Sequence, residues 1–104
     1  MLITNLPDIS GREYEILGLV EGCAVYSKHF GKDLMAGFKN MVGGELVGYT
    51  EMIDGAKELS LERLKGEALK LGADGILNIQ YSLTNLQGGS ALVANVVGTA
   101  IRFK

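Results

Sequence analysis

Hydrophobic positions along the chain follow two periods, and the switches between them predict the elements. From Glu13 to Ser27, β-branched, aromatic and apolar residues succeed one another with Gly18 and Gly22 interrupting, which predicts a long strand or a bent pair. Glycine inside such a run marks a bulge or a close backbone approach, and both glycines are read as letting the strand curve. A short extended start around Leu2 to Thr4 precedes it, followed by a turn at Pro7-Asp8. Between Asp33 and Met41, the spacing of Leu34, Phe38 and Met41 fits a short amphipathic helix ended by Gly43-Gly44. A second, long helix is predicted from Glu45 to Leu71, where Leu46, Tyr49, Ile53, Ala56, Leu64, Ala68 and Leu71 form one stripe with Leu61 at its border. Gly72 is placed to end it, and Arg63, Lys65 and Lys70 complement the dipole of its carboxyl end.

Past Asp74-Gly75 the period changes to two. Leu77, Ile79, Tyr81 and Leu83 alternate with Asn78, Gln80 and Ser82, predicting a half-buried strand over Ile76 to Leu83. Gln87-Gly88-Gly89-Ser90 reads as a hairpin turn, and Ala91 to Phe103 returns as a strand apolar on both faces. One face carries Val93, Val97, Ile101 and Phe103, the other Leu92, Ala94, Val96 and Ala100. The order strand, helix, strand, strand predicts an α+β fold, an antiparallel sheet of three strands covered by one long helix.

One helix covers one side of such a sheet, so the second apolar face of the last strand needs either a closed barrel or another copy of the chain. The homo-oligomer is the favoured reading. Gly48, Met52, Gly55, Leu59 and Gly66 fall on a second face of the long helix. Each glycine costs a helix interior about 1 kcal/mol relative to alanine, so three on one face suggest close contact with a neighbouring backbone.

Composition then excludes several classes. The 104 residues hold twelve acidic and ten basic side chains, a net charge of -2 that gives no basic patch for nucleic acid or an anionic membrane. No stretch approaches the ~20 apolar residues of a membrane span, and the amino terminus lacks the pattern of a signal peptide, so a cytoplasmic location is expected. No repeat, linker or charge run divides the chain, which reads as a single domain over 1–104. With Cys23 the lone cysteine, neither an intrachain disulfide nor a four-cysteine metal site can form within one copy.

Asp33-Leu34-Met35-Ala36-Gly37, Gly43-Gly44, Tyr49, Ala56-Lys57, Leu71-Gly72-Ala73-Asp74-Gly75 and Gly98-Thr99-Ala100 together resemble the YbjQ family over nearly the whole chain. Its members are small, uncharacterised proteins carrying a heavy-metal-binding label. The resemblance implies a fold of the dodecin-subunit kind that assembles into a ring, a pentamer, and it implies no established activity.

Candidate chemistry is sparse. Cys23 and His29 are the soft-metal donors, with Met35 and Met41 further along. They are too few for a divalent or soft metal unless symmetry shares them between subunits. Gly43-Gly44 could cradle phosphate, but Glu45 already occupies the positive helix start. Lys57 falls inside the apolar stripe, and Glu67, Asp33 or the Tyr49 hydroxyl are its candidate partners. Such a polar cluster of Tyr49, Lys57 and Asp33 at a subunit boundary would suit a small anionic ligand. The plainer reading lets the lysine stem cover apolar surface while its head reaches water. No nucleophile-base pair or carboxylate pair stands in a recognisable context, and Asp33 and Asp74 read as capping and turn residues. The leading expectation is a homo-oligomeric binding or scaffold protein with no confident cofactor. A metal-binding protein and an enzyme of unknown substrate are the alternatives.

Overall fold

The stretch from Ala91 to Phe103 is rich in valine, isoleucine and alanine because it forms the central strand of the sheet. In the computed structural model, which describes residues 1–26, 41–42, 45–86 and 91–104 (side chains outside 41–49, 86 and 91), the elements follow the chain in this order. They are β1 (Leu2–Ile3), β2 (Tyr14–Tyr26), β3 (Met41–Val42), β4 (Glu45–Leu46), α1 (Val47–Lys70), β5 (Gly75–Leu86) and β6 (Ala91–Phe103). The main sheet has the order β1-β5-β6-β2. β6 runs antiparallel to both neighbours, while β1 lies parallel to β5 with Leu2 opposite Gly75 and Ile3 opposite Ile76.

The expected three-stranded antiparallel sheet is therefore a mixed sheet of four strands. Backbone hydrogen bonds explain why two residues suffice for β1: Thr4 N donates to Ile76 O at 3.1 Å, Ile79 N to Thr4 O at 3.1 Å and Asn78 N to Leu6 O at 2.9 Å. These bonds carry the amino-terminal segment along the first part of β5. A second correction concerns Met41, expected to end a short helix. It pairs instead with Leu46, and Val42 with Glu45, in a separate two-stranded sheet, so α1 begins at Val47. Short apolar runs do not distinguish helix from strand. The remainder of the predicted short helix, and the turn at residues 87–90, lie outside the described residues.

Two bulges shape the long strands. In β2 the register shifts between Ile16 and Gly18, where φ of +145° favours glycine. In β5 it shifts between Leu77 and Gln80, with Asn78 at φ +54°, a region asparagine tolerates better than most residues. The second bulge corrects the alternation read from the sequence. Ile76 pairs with Ala100, Tyr81 with Val96 and Leu83 with Ala94, so all three face the helix, whereas Leu77 pairs with Thr99 on the outer face.

α1 lies over β2 and β6 through Ala56, Ser60, Leu64 and Ala68, all fully buried at i, i+4 spacing. Leu64 and Ala68 pack with Val20, Ile76, Val96 and Ala100, and Ala56 packs with Leu92 and Ala94. Leu71, expected in the stripe, is 45% exposed beyond the last turn, and Ser60 takes a core position instead. The Ser60 hydroxyl is satisfied locally, donating to the Lys57 carbonyl at 2.8 Å. The small stripe residues let the helix approach Gly22, where an added Cβ would stand 2.0 Å from Ser60 O and 2.5 Å from Leu64 N. Gly22 thus marks a close approach rather than a bend.

The helix stops as expected. Gly72 has φ +76°, Ala73 N donates to Ala68 O at 3.1 Å and Gly72 N to Leu69 O at 3.0 Å, the paired bonds of a Schellman cap. Asp74 then ties β5 to the end of β6, its Oδ2 accepting from Phe103 N at 2.9 Å. Across β2 and β6, Arg102 holds Glu15 Oε1 through Nη2 at 2.5 Å.

Where the chain enters β2, the Tyr14 hydroxyl donates to Asp8 Oδ1. That bond, with a lesser contribution from desolvation and the nearby negative charge, raises the Tyr14 phenol above its ordinary value of 10.0. Spectrophotometric titration is expected to find Tyr14 ionising late, and Asp8→Asn to return it toward the ordinary range. Because the folded value is raised, the bond's contribution to stability is complete below the unfolded value and is lost as pH rises through the folded one.

Candidate functional site

β2 is an edge strand, so one side of its backbone is not used by β6. Val20, Gly22 and Ala24 are buried on the helix side, which sends Leu19, Glu21, Cys23 and Val25 to the outer face. The carbonyl of Cys23 accepts a hydrogen bond from Arg63 Nη1 of α1 at 2.5 Å. Its backbone groups therefore point away from β6, and by the antiparallel alternation those of Leu19, Glu21 and Val25 do too. Between this edge and the carboxyl half of α1 lies a groove of about 710 Å³, lined by Leu19, Glu21, Cys23, Arg63, Glu67, Lys70 and Leu71 among others. Lys70 pairs with Glu67 at 3.1 Å along the helix, so the wall carries charge of both signs.

The surplus apolar surface expected on the last strand lies mainly beside it. Among the outer-face residues of β6, Ile101 is fully buried, Val93, Val97 and Phe103 are half-buried, and the Arg12 guanidinium stacks 3.8 Å from the Phe103 ring centroid. On the same face of β2, Ile16 at 70%, Leu19 at 76% and Val25 at 59% are exposed. The expected second helix face also divides. Met52 packs on the Ala56–Leu92–Ala94 cluster and a Cβ at Gly55 would lie 3.4 Å from the Tyr26 hydroxyl, both within the chain, whereas Gly66 faces open space.

Of the anticipated ligand residues, Lys57 is half-buried with its Nζ 5.2 Å from the Tyr81 ring centroid, a cation-π contact from helix to sheet. Glu67 is not its partner, being bonded to Lys70 and about 15 Å further along the helix. Tyr49 lies in the first turn of α1, with its side chain outside the described set, and Asp33 and His29 lie outside the described residues. Cys23 is a free, exposed thiol, on the sheet face opposite the helix that bears Lys57. Among the described residues no group of three or more histidine, cysteine, aspartate or glutamate side chains is placed to hold a metal. Among the described residues no helix is long and apolar enough to cross a membrane.

Sequence reasoning missed Arg63 as a site residue, assigning it only to the helix dipole. Its role depends on the Cys23 carbonyl forty residues away, which no local spacing signals.

The comparisons agree with this architecture. A crystal structure of a protein of unknown function of the DUF74 family from Pediococcus pentosaceus superposes with a TM-score of 0.71 at 23% identity, covering 100% of this chain and 98% of the other. That likeness concerns the fold. In sequence, a UPF0145 protein of Clostridium tetani is 44% identical over 104 residues, spanning 100% of this chain and 98% of the relative. A UPF0145 protein of Thermotoga maritima is likewise 44% identical, over 105 residues, with the same coverage. With a family model matched along residues 1–104 as well, the chain belongs to the YbjQ family, whose model carries the description "Putative heavy-metal-binding".

Proposed function

We propose that the chain is the subunit of a cytoplasmic homo-oligomeric ring, a pentamer, which serves as a binding or scaffold protein with its ligand site at subunit boundaries. The observation that carries the reading is the group of exposed apolar side chains Ile16, Leu19 and Val25 on one face of β2, a strand at the edge of the described sheet that borders a groove. Side chains of this size more than half exposed on one edge strand are a liability in a monomer and are usual where another chain covers them. Tyr49, Lys57 and Asp33 are the residues proposed to meet a small anionic ligand once copies assemble.

The family description supports a second reading, in which Cys23 and His29 of several copies share a soft metal around the axis. Native mass spectrometry of gently purified protein tests both. A single closed oligomer supports the ring and a clean monomer overturns it. Stoichiometric zinc or copper that disappears in Cys23→Ser supports the metal, and oligomers of unloaded mass that gain none on incubation with either ion overturn it.

A further inference from the structure

We infer that Lys57, Tyr81 and Leu83 form a binding site for a small monocarboxylate carried on an apolar body, such as an aryl carboxylate. The inference rests on the small-anion reading of Lys57 given above and names the class of anion. α1 lies over β2 and β6, which leaves the helix side of β5 beyond its bulge bare. Tyr81 and Leu83 stand on that side, opposite the fully buried Val96 and Ala94, and are 38% and 42% exposed. Ile53, Lys57 and Leu61 recur every fourth residue along α1 and share one flank of it. The Lys57 ammonium, 5.2 Å from the centroid of the Tyr81 ring, turns that flank toward β5. Helix flank and bare strand therefore make the wall and floor of an open crevice.

The charge in this crevice lacks a counter-charge. Among the described residues Lys65 pairs with Glu62 and Lys70 with Glu67, whereas no carboxylate is paired with the Lys57 ammonium, whose contact is the Tyr81 ring. A ring face attracts an ammonium from one side, and the N–H groups that point elsewhere are free to donate to an anion. Ile53 and Leu61, half-buried one turn to either side, and Leu83 on the strand make the surroundings apolar. In such surroundings an ion pair is stronger than in open water, and a charge left unpaired costs more. One lysine balances one negative charge. A monocarboxylate is matched in charge, while a phosphate dianion leaves a charge over. The exposed faces of Tyr81 and Leu83 then give the body of the ligand apolar surface to bury.

The competing arrangement has no ligand: Lys57 fastens α1 to β5 through the Tyr81 ring, its stem covering apolar surface. That arrangement accounts for Lys57 and Tyr81 but gives Leu83 nothing to cover it, and it predicts no affinity for anions.

Isothermal titration calorimetry of the full chain at low salt decides between them. The probes are naphthoate, naphthalenemethanol as the same body without the charge, and inorganic phosphate as charge without the body. Naphthoate is expected to bind about tenfold or more tightly than either control. Lys57→Met is expected to weaken naphthoate by about tenfold or more while leaving naphthalenemethanol unchanged, and Lys57→Arg to retain naphthoate binding. Leu83→Ala is expected to weaken both aryl probes together. Phosphate that binds as tightly as naphthoate, and loses its binding in Lys57→Met, overturns the apolar-body inference and leaves the small-anion reading of Lys57 standing. Naphthoate binding that Lys57→Met leaves unchanged, or no binding of any probe at millimolar concentration, overturns both. Circular dichroism of each variant confirms folding. Lys57→Arg and Leu83→Ala, at two separate positions, keep the test decisive if Lys57→Met misfolds.

Discussion

Gly22→Ala is expected to lower stability by about 3 kcal/mol, the upper end of what an overpacked core costs. The reason is the identity of the atoms that the new methyl group meets. A Cβ at position 22 lies 2.0 Å from Ser60 O and 2.5 Å from Leu64 N, both backbone atoms of α1. A rotamer change cannot relieve a contact with backbone, so the helix must lift from β2. Lifting it opens the packing of Leu64 and Ala68 against Val20 and Val96. Gly66→Ala on the same helix provides the contrast. Nothing lies within 4 Å of its would-be Cβ, so the substitution is expected to raise stability by about 0.5–1 kcal/mol through helix propensity. Urea unfolding followed by far-ultraviolet circular dichroism, at one fixed protein concentration because assembly couples to folding, measures both. A neutral Gly22→Ala would show that the helix does not sit on β2 as described.

This pair of glycines also shows how far the chain could be read without coordinates. α1 and β5 were legible because each carries a sustained period, β2 and β6 because each is a long run of β-branched and apolar residues, and the end of α1 because Gly72 sits where a left-handed cap is required. β1 was legible only as a short extended start around Leu2 to Thr4, since its place in the sheet depends on backbone bonds to β5. The bulge at Asn78 was invisible for a related reason. Strict alternation continues through Leu77, Ile79, Tyr81 and Leu83 in the sequence, while the extra residue moves Leu77 to the other face. Gly22 illustrates a third limit: a glycine within a strand announces a special site, and only the neighbour across the interface says whether it bends the strand or admits a helix.

The site was less legible than the fold. Lys57 and Cys23 were identifiable by residue type, but their surroundings come from tertiary contacts. Tyr81, the neighbour of Lys57, is twenty-four residues away, and Arg63 meets Cys23 through its backbone carbonyl, which no side-chain motif encodes. Open edges are a property of sheet order, which a pattern of elements in sequence leaves undetermined.

Leu64→Ala is expected to cost about 3–4 kcal/mol, in the middle of the range for a fully buried leucine. Leu64 is fully buried and among the largest such side chains, enclosed by Val20, Ala68, Ile76, Val96 and Ala100. The cost of such a truncation depends on whether the surroundings collapse into the space left. Here they are held apart, because the backbone of α1 already rests on Gly22 and the helix cannot settle further onto the sheet. Four of these five enclosing residues are alanine or valine, with little reach to fill the gap. Leu69, one turn away and 64% exposed, makes the comparison clean: Leu69→Ala is expected to stay within about 0.5 kcal/mol of wild type. If Leu64→Ala proved as mild as Leu69→Ala, the core would have to collapse onto the truncated position, which requires a helix free to approach the sheet. That result would contradict the same backbone contact on which the Gly22→Ala prediction stands, so the two variants test one feature of the fold from opposite sides.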